Sequence, residues 1–287
     1  MGKESPHQQG VFTIPEINRS KFKRSRRINK KLEKLKNILK KYPGVVVAFS
    51  GGVDSSLLLK VARDILKDRV IAVTAQSPLY PETELRIAKR IARLLNVRHL
   101  VVHSSELKNK NFRKNPKNRC FYCKIELFTK LLQIAKKFRF KVIEASNSSD
   151  LRDFRPGIIA GKKLKIDSPL IEAGLTKEEI RILAKRFRLP NWNKPSMACL
   201  ASRIPYGEAV SLTALKRISK AEDFLKKKEF TQVRVRDHYP VARIEVLPDE
   251  FYAILRNRGR IVKYFKKLGY RYVTLELEGY RTGSMNL

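Results

Sequence analysis

The chain has 287 residues, more than one small core needs, so a large domain with a smaller companion is the expected organisation. Its 63 Lys and Arg against 27 Asp and Glu give a net charge of +36. That charge attracts polyanions and leaves weak RNA contact open, although an excess spread along the chain suits a basic proteome or unusual intracellular salt equally.

No apolar run approaches the roughly 20 residues of a membrane span, and no apolar signal-peptide core opens the chain, so a soluble, cytoplasmic protein is expected. Residues 1–27 mix Pro, Gln, Ser, Lys and Arg without apolar period and read as a flexible basic arm. Ile28, Leu32, Leu35, Ile38 and Leu39 then recur at helical spacing until Tyr42-Pro43-Gly44 stops the helix.

Val45-Val46-Val47-Ala48-Phe49 reads as a buried strand that breaks at Ser50-Gly51-Gly52 and resumes as a helix from Val53. Glycines let the backbone approach a ligand, and the N–H groups opening the helix point at it with the positive end of the dipole, so the turn suits phosphate. It is not a Walker loop: Val53 and Asp54 follow Gly52 where that loop needs a Lys, and hydroxyls stand at Ser50, Ser55 and Ser56. Asp54 only accepts hydrogen bonds, so Mg²⁺ between it and a polyphosphate is expected. Ser-Gly-Gly-Val-Asp-Ser resembles the PP-loop of ATP pyrophosphatases, which implies attack on the α-phosphorus of ATP and release of pyrophosphate.

Val70–Ala75 is a second strand, Pro81-Glu82 opens a helix through Leu95, and Arg98–Val102 is a third strand. Alternating strands and helices imply parallel βαβ units with ligands at the C-terminal strand ends. Leu107–Arg119 is polar and aperiodic, and Cys120-Phe121-Tyr122-Cys123-Lys124 then opens an amphipathic helix. Lys141–Ala145 is a further strand, leaving through Ser146-Asn147-Ser148-Ser149-Asp150, a polar exit that could hold nucleotide.

Thr176 and Glu179 form a capping-box pattern ahead of a helix ending at Leu189-Pro190, and a loop-like run carries Cys199. A boundary near Pro205-Tyr206-Gly207 separates a domain over residues 28–205 from an α+β unit over 206–287. That unit has a helix through Leu212–Leu225 and a hairpin of Gln232–Asp237 and Val241–Leu247. A helix over Pro248–Leu268 and a strand over Tyr270–Glu278 follow. Alternation puts Arg234 and Arg236 on one strand face, where two guanidiniums could grip phosphate or carboxylate or could be solvated; Arg243 and Glu245 share a face too.

Three cysteines, an odd number, argue against a disulfide framework. Cys120 and Cys123 suit a soft metal, with Cys199 a third thiolate from a distant loop; otherwise they are packed small side chains. A Cys₃His zinc site would need His7, His99, His103 or His238, and a [4Fe-4S] cluster with one unligated iron fits three thiolates better.

Together these residues resemble the LarE family, ATP-dependent sulfur transferases that convert nucleotide-bound pyridinium carboxylates to thiocarboxylates for the nickel-pincer nucleotide. The likeness runs from Val45 to Asn286 through Ser50–Leu58, Asn115–Lys124, Asp153-Phe154-Arg155-Pro156-Gly157, Ser168–Leu175, Lys194–Gly207, Arg234-Val235-Arg236, Ala242–Val246 and Gly279–Asn286. It implies an adenine nucleotide alpha hydrolase-like, doubly wound parallel sheet of the α/β class.

It also implies an oligomer, and a nucleotide site at Ser50, Gly51, Gly52, Val53, Asp54, Ser55, Ser56, Ala75 and Asn147. Arg203, Glu222, Arg234, Arg236 and Glu245 are implied around the substrate and its phosphate, with Cys199, Asp54 and Glu222 as catalytic groups. Cys199 matches a cysteine whose own sulfur is sacrificed in some members. Members that also match Cys120 and Cys123 resemble cluster-dependent versions, fed by a sulfide donor. Two departures stand out: Ser149 replaces a usual Asp, and Tyr239-Pro240 replaces a usual glycine in the hairpin. A tRNA-thiolating PP-loop enzyme and a nucleic-acid-binding protein with a degenerate ATP site are the alternatives.

Overall fold

The computed structural model describes residues 16–152, 155–195 and 197–281. The start of the expected arm, and Asp153, Phe154, Ser196 and residues 282–286 of the resembling stretches, lie outside them. The chain runs through α1 (Glu16–Lys40), β1 (Val45–Ala48), α2 (Val53–Leu66), β2 (Val70–Gln76), α3 (Glu82–Leu94), β3 (Arg98–His103), α4 (Lys110–Arg113), α5 (Arg119–Phe138) and β4 (Lys141–Ile143). Next come α6 (Pro156–Lys163), α7 (Pro169–Glu172), α8 (Lys177–Arg186), α9 (Leu212–Lys226), β5 (Arg234–His238), β6 (Val241–Glu245), α10 (Phe251–Arg256), α11 (Arg258–Lys267) and β7 (Tyr272–Leu275).

The first sheet is wholly parallel in the order β3-β2-β1-β4, so the chain steps from β1 through β2 to β3 on one side, then crosses to β4 on the other, and the order reverses between β1 and β4. Period two explains the uninterrupted apolar strand: Val45 and Val47 join the core formed with α1, α2, α3 and α8, while Val46 joins Phe128 and Leu131 of α5 on the other face. The doubly wound α/β class expected from the sequence is the class observed. The second sheet, β5-β6-β7, pairs β5 with β6 antiparallel through the hairpin at Tyr239-Pro240, and β6 with β7 parallel.

Four local expectations are corrected. Residues 16–27, expected in the arm, continue α1, and that end of the helix meets the acidic start of α8: Arg24 pairs with Glu178 at 2.5 Å and Arg27 with Glu179 at 3.3 Å. The partners lie far away in sequence, so composition could not reveal them.

The aperiodic stretch 107–119 contains α4, capped by the Asn109 side chain, which accepts from the amides of Asn111 and Phe112. The expected helix over 248–268 is two helices broken at Asn257, whose amide donates to the Ala253 carbonyl at 2.9 Å, and Gly259 follows; both residue types weaken helices. The last strand spans four residues rather than nine.

Candidate active site

A cavity of about 800 Å³ opens at the C-terminal ends of β1 to β4. Its wall includes Ser50, Gly52, Val53, Asp54 and Ser55 after β1, Ala75 to Ser77 at the end of β2, and Glu144 to Ser146 after β4. This is the crevice at the reversal of strand order, where open α/β sheets take their ligands.

The loop after β1 is held by its own hydroxyls. Ser50 Oγ and Ser55 Oγ lie 3.2 Å apart, Gly52 N donates to Ser50 Oγ at 3.3 Å, and Ser55 Oγ donates to the Gly52 carbonyl at 3.1 Å. Gly51 has φ +71°, and a Cβ there would sit 3.0 Å from the backbone of Ala88 in α3, so both handedness and space demand glycine. Asn191 fixes the loop from below, its amide donating to the Gly51 carbonyl and to Ser56 Oγ, each at 2.9 Å.

Among the expected nucleotide residues, Ser50, Gly52, Val53, Asp54, Ser55 and Ala75 face the cavity. Ser56 is wholly buried on Asn191. Asn147 is buried too, its side chain accepting from Ser149 N at 2.9 Å. Ser149 Oγ accepts from the Lys177 amide at the start of α8. The carboxylates that line the cleft are Asp54, Glu82, Glu84, Glu106, Glu144 and Asp150.

Asp54, in the first turn of α2, accepts from Lys177 of α8 through Oδ2, while its buried Oδ1 has no partner among the described residues. Burial pushes its carboxyl up and Lys177 opposes this. An orphaned carboxylate oxygen facing a phosphate loop fits a Mg²⁺ ligand. Lys194, paired with Glu84 at 2.6 Å, adds a second cation across the cleft. Sequence reading missed Lys177, Asn191 and Lys194, because nothing local marks a residue that reaches a motif from more than a hundred positions away.

At the far end of the cavity the three cysteines share one neighbourhood. Cys120 and Cys123 lie in the first two turns of α5 and line the wall. Cys199 packs with Cys123 and Tyr122 against an apolar cluster that includes Leu79, Phe112 and Leu200. Tyr80 lies beside all three: burial, then the charges of Cys199, Cys123 and Cys120, push its phenol well up. Burial, then Cys199, also raises the Cys120 and Cys123 thiols. Among the described residues no group of three His, Cys, Asp or Glu side chains is placed to hold a metal. Three neighbouring cysteines are nonetheless a soft donor set of the kind that suits a thiophilic metal.

The remaining expected site residues form a separate buried network behind Cys199. Arg203, 1% exposed, grips Glu222 through Nε at 2.8 Å and Nη2 at 3.1 Å. Its Nη1 donates to the carbonyls of Ala198 and Cys199 at 2.7 and 3.1 Å.

Arg236 grips Glu245 at 2.8 and 2.7 Å and donates to the Ser202 carbonyl at 2.9 Å. Arg243 also reaches Glu245, at 3.2 Å. Arg234 shares this strand face and, among the described residues, forms no ion pair. Its Nη1 meets the Val233 carbonyl and its guanidinium lies 5.2 Å from the Tyr280 ring. Burial, then Arg203, lowers its pKa. None of these five lines the cavity.

Residues 35–124 match the asparagine synthase family. The chain is 40% identical over 262 residues, 90% of its length and 98% of the relative's, to an uncharacterized protein of Synechocystis sp.. It is 35% identical over 250 residues, 86% of its length and 91% of the relative's, to the pyridinium-3,5-bisthiocarboxylic acid mononucleotide synthase of Lactiplantibacillus plantarum. An uncharacterized protein of Methanocaldococcus jannaschii is 31% identical over 88% of the chain and 98% of its own length.

Proposed function

The chain belongs to the LarE family of PP-loop ATP pyrophosphatases, and from that premise we propose that it adenylates a carboxylate of a pyridinium mononucleotide and replaces the activated oxygen with sulfur. The enzyme is an ATP-dependent sulfurtransferase. The observation that carries the proposal is one cavity lined by the phosphate loop and by Cys120 and Cys123, with Cys199 packed beside Cys123.

Ser50, Ser55 and the amides opening α2 bind the β,γ-diphosphate, and Asp54 Oδ1 would hold Mg²⁺, which supplies charge neutralisation as pyrophosphate leaves. Lys177 and Lys194 face the same space and stabilise the negative charge that develops there. Adenylation gives the carboxylate a leaving group, AMP, which a sulfur nucleophile displaces.

Residues 28–205 carry this ATP chemistry and 206–287 the acceptor. Arg234, which has no carboxylate partner among the described residues, takes the acceptor's phosphate. Arg203, Glu222, Arg236 and Glu245 hold one another and the turn behind Cys199. Cys120, Cys123 and Cys199 would hold a [4Fe-4S] cluster, whose unligated iron supplies a site for exogenous sulfide. The pair Cys120-x₂-Cys123 favours this over sacrifice of Cys199, which needs only one thiol. The product serves nickel-pincer nucleotide assembly, in a homo-oligomer.

The test is product stoichiometry with anaerobically purified protein. AMP and pyrophosphate should appear in equal amounts, iron should be lost on replacing any one cysteine with Ala, and sulfide should support repeated turnover. ADP with orthophosphate would refute the ATP chemistry. One product per chain, with Cys199 converted to dehydroalanine, would refute the cluster.

A further inference from the structure

The net charge of +36 is not explained by a cleft lined by more carboxylates than cations. The other candidate for polyanion contact is α1, where four of the nine cations from Lys23 to Lys40 are already paired with carboxylates. Arg24 pairs with Glu178, Arg27 and Lys31 with Glu179, and Lys36 with Glu33.

The segment from Phe251 to Leu275 is different. It holds Arg256, Arg258, Arg260, Lys263, Lys266, Lys267 and Arg271 and no Asp or Glu. All seven are exposed, and none joins an ion pair among the described residues. Arg260, Lys263 and Lys267 follow i, i+3, i+7 spacing along α11. At a rise of 1.5 Å per residue that stripe is about 10 Å long, long enough to meet successive phosphates of a nucleic-acid strand.

Beside it on α10, Tyr252 is 71% exposed and lies under Arg256 at 5.8 Å, a ring and guanidinium open to stacking on a base. We propose that the outward face of α10 and α11 docks the phosphate backbone of a single-stranded nucleic acid. Two other occupants fit less well. Ile261 and Phe265 of α11 are committed to the core, and on α10 Leu255 and Tyr252 are the large apolar side chains left exposed, too little for an apolar stripe that inserts into a bilayer. A second copy of the same face would oppose like charges.

The test is fluorescence anisotropy with a labelled single-stranded RNA, the matching single-stranded DNA, the matching duplex and phosphatidylserine vesicles, across a salt series. The triple variant Arg260→Glu/Lys263→Glu/Lys267→Glu is compared with Lys30→Glu/Lys34→Glu/Lys40→Glu on α1, which changes the net charge equally. The α11 variant should lose at least about tenfold in single-strand affinity, and its salt slope should become shallower by about 2, from roughly 0.7 per lost phosphate contact. Tyr252→Ala should weaken single-strand binding without changing the slope.

The α1 variant should stay within about twofold of wild type. Equal losses in both triple variants would overturn the proposal in favour of diffuse charge. Tighter binding to vesicles or to duplex than to single strands would overturn it as well. Circular dichroism checks folding, with Gln in place of Glu at the three α11 positions if the first variant unfolds. No ATP is present in the assay, so its outcome is independent of the sulfur-transfer reading.

Discussion

Replacing Glu222 with Gln separates a catalytic carboxylate from a structural one. Glu222 is 1% exposed, takes both forks of Arg203 and accepts the Val235 amide at 3.2 Å. Gln keeps the shape and one acceptor but removes the charge, leaving the Arg203 guanidinium, also 1% exposed, without its counter-ion.

Breaking one side of a buried pair typically costs about 3–5 kcal/mol. With an unfolding entropy of roughly 2.1 cal/mol/K per residue, a chain of this length should lose about 5–8 °C in Tm. The double variant Arg203→Met/Glu222→Leu should recover most of that loss, because well-packed apolar residues often replace buried ion pairs at little cost. It should still transfer sulfur poorly, since the donors to the carbonyls of Ala198 and Cys199 are gone. Calorimetry of the three proteins and a thiocarboxylate assay supply both readouts. A Glu222→Gln protein with wild-type Tm and lost activity would refute this reasoning and make Glu222 a proton-handling residue.

Arg234→Lys should raise the acceptor KM with Tm nearly unchanged, whereas Arg236→Met should cost up to about 3–5 kcal/mol of stability because it removes the bidentate partner of the buried Glu245. Steady-state kinetics and thermal melts check the pair. Gly51→Ala should abolish pyrophosphate release and cost at least about 1 kcal/mol, from its positive φ and the Ala88 backbone 3.0 Å away. Glu179 gives a pH signature: burial pushes its carboxyl up, but Lys31 and the Thr176 amide outweigh this and leave it below the usual 4.5. A folded-state pKa below the unfolded one gives stability that is full above 4.5 and disappears as pH falls through the lowered value. The Tm gap between wild type and Glu179→Gln should therefore be widest near neutrality and close in acid.

The strand, glycine turn and helix around Gly51 were legible because burial, backbone freedom and helix start all leave local marks. The same holds for the capping box at Thr176 and Glu179, where both reciprocal bonds are present, and for the β5–β6 hairpin. Alternation correctly placed Arg234 and Arg236 on one face, but it could not tell that Glu245, directly opposite Arg234 in the register, pairs diagonally with Arg236 and leaves Arg234 without a carboxylate among the described residues. The short helices α6 and α7 open at Pro156 and Pro169. Each is too short to show a period, so proline at a helix start was the only signal there.

Asn191 joins two stretches of chain that the sequence keeps 140 positions apart. Its bonds run to the glycine loop, and Arg181 clamps the next residues by donating to the carbonyls of Trp192 and Lys194 at 3.1 and 2.9 Å. Eight positions beyond Asn191 stands Cys199. The glycine loop and the segment that leads to Cys199 thus hang on one side chain, and Asn191→Ala should loosen both together.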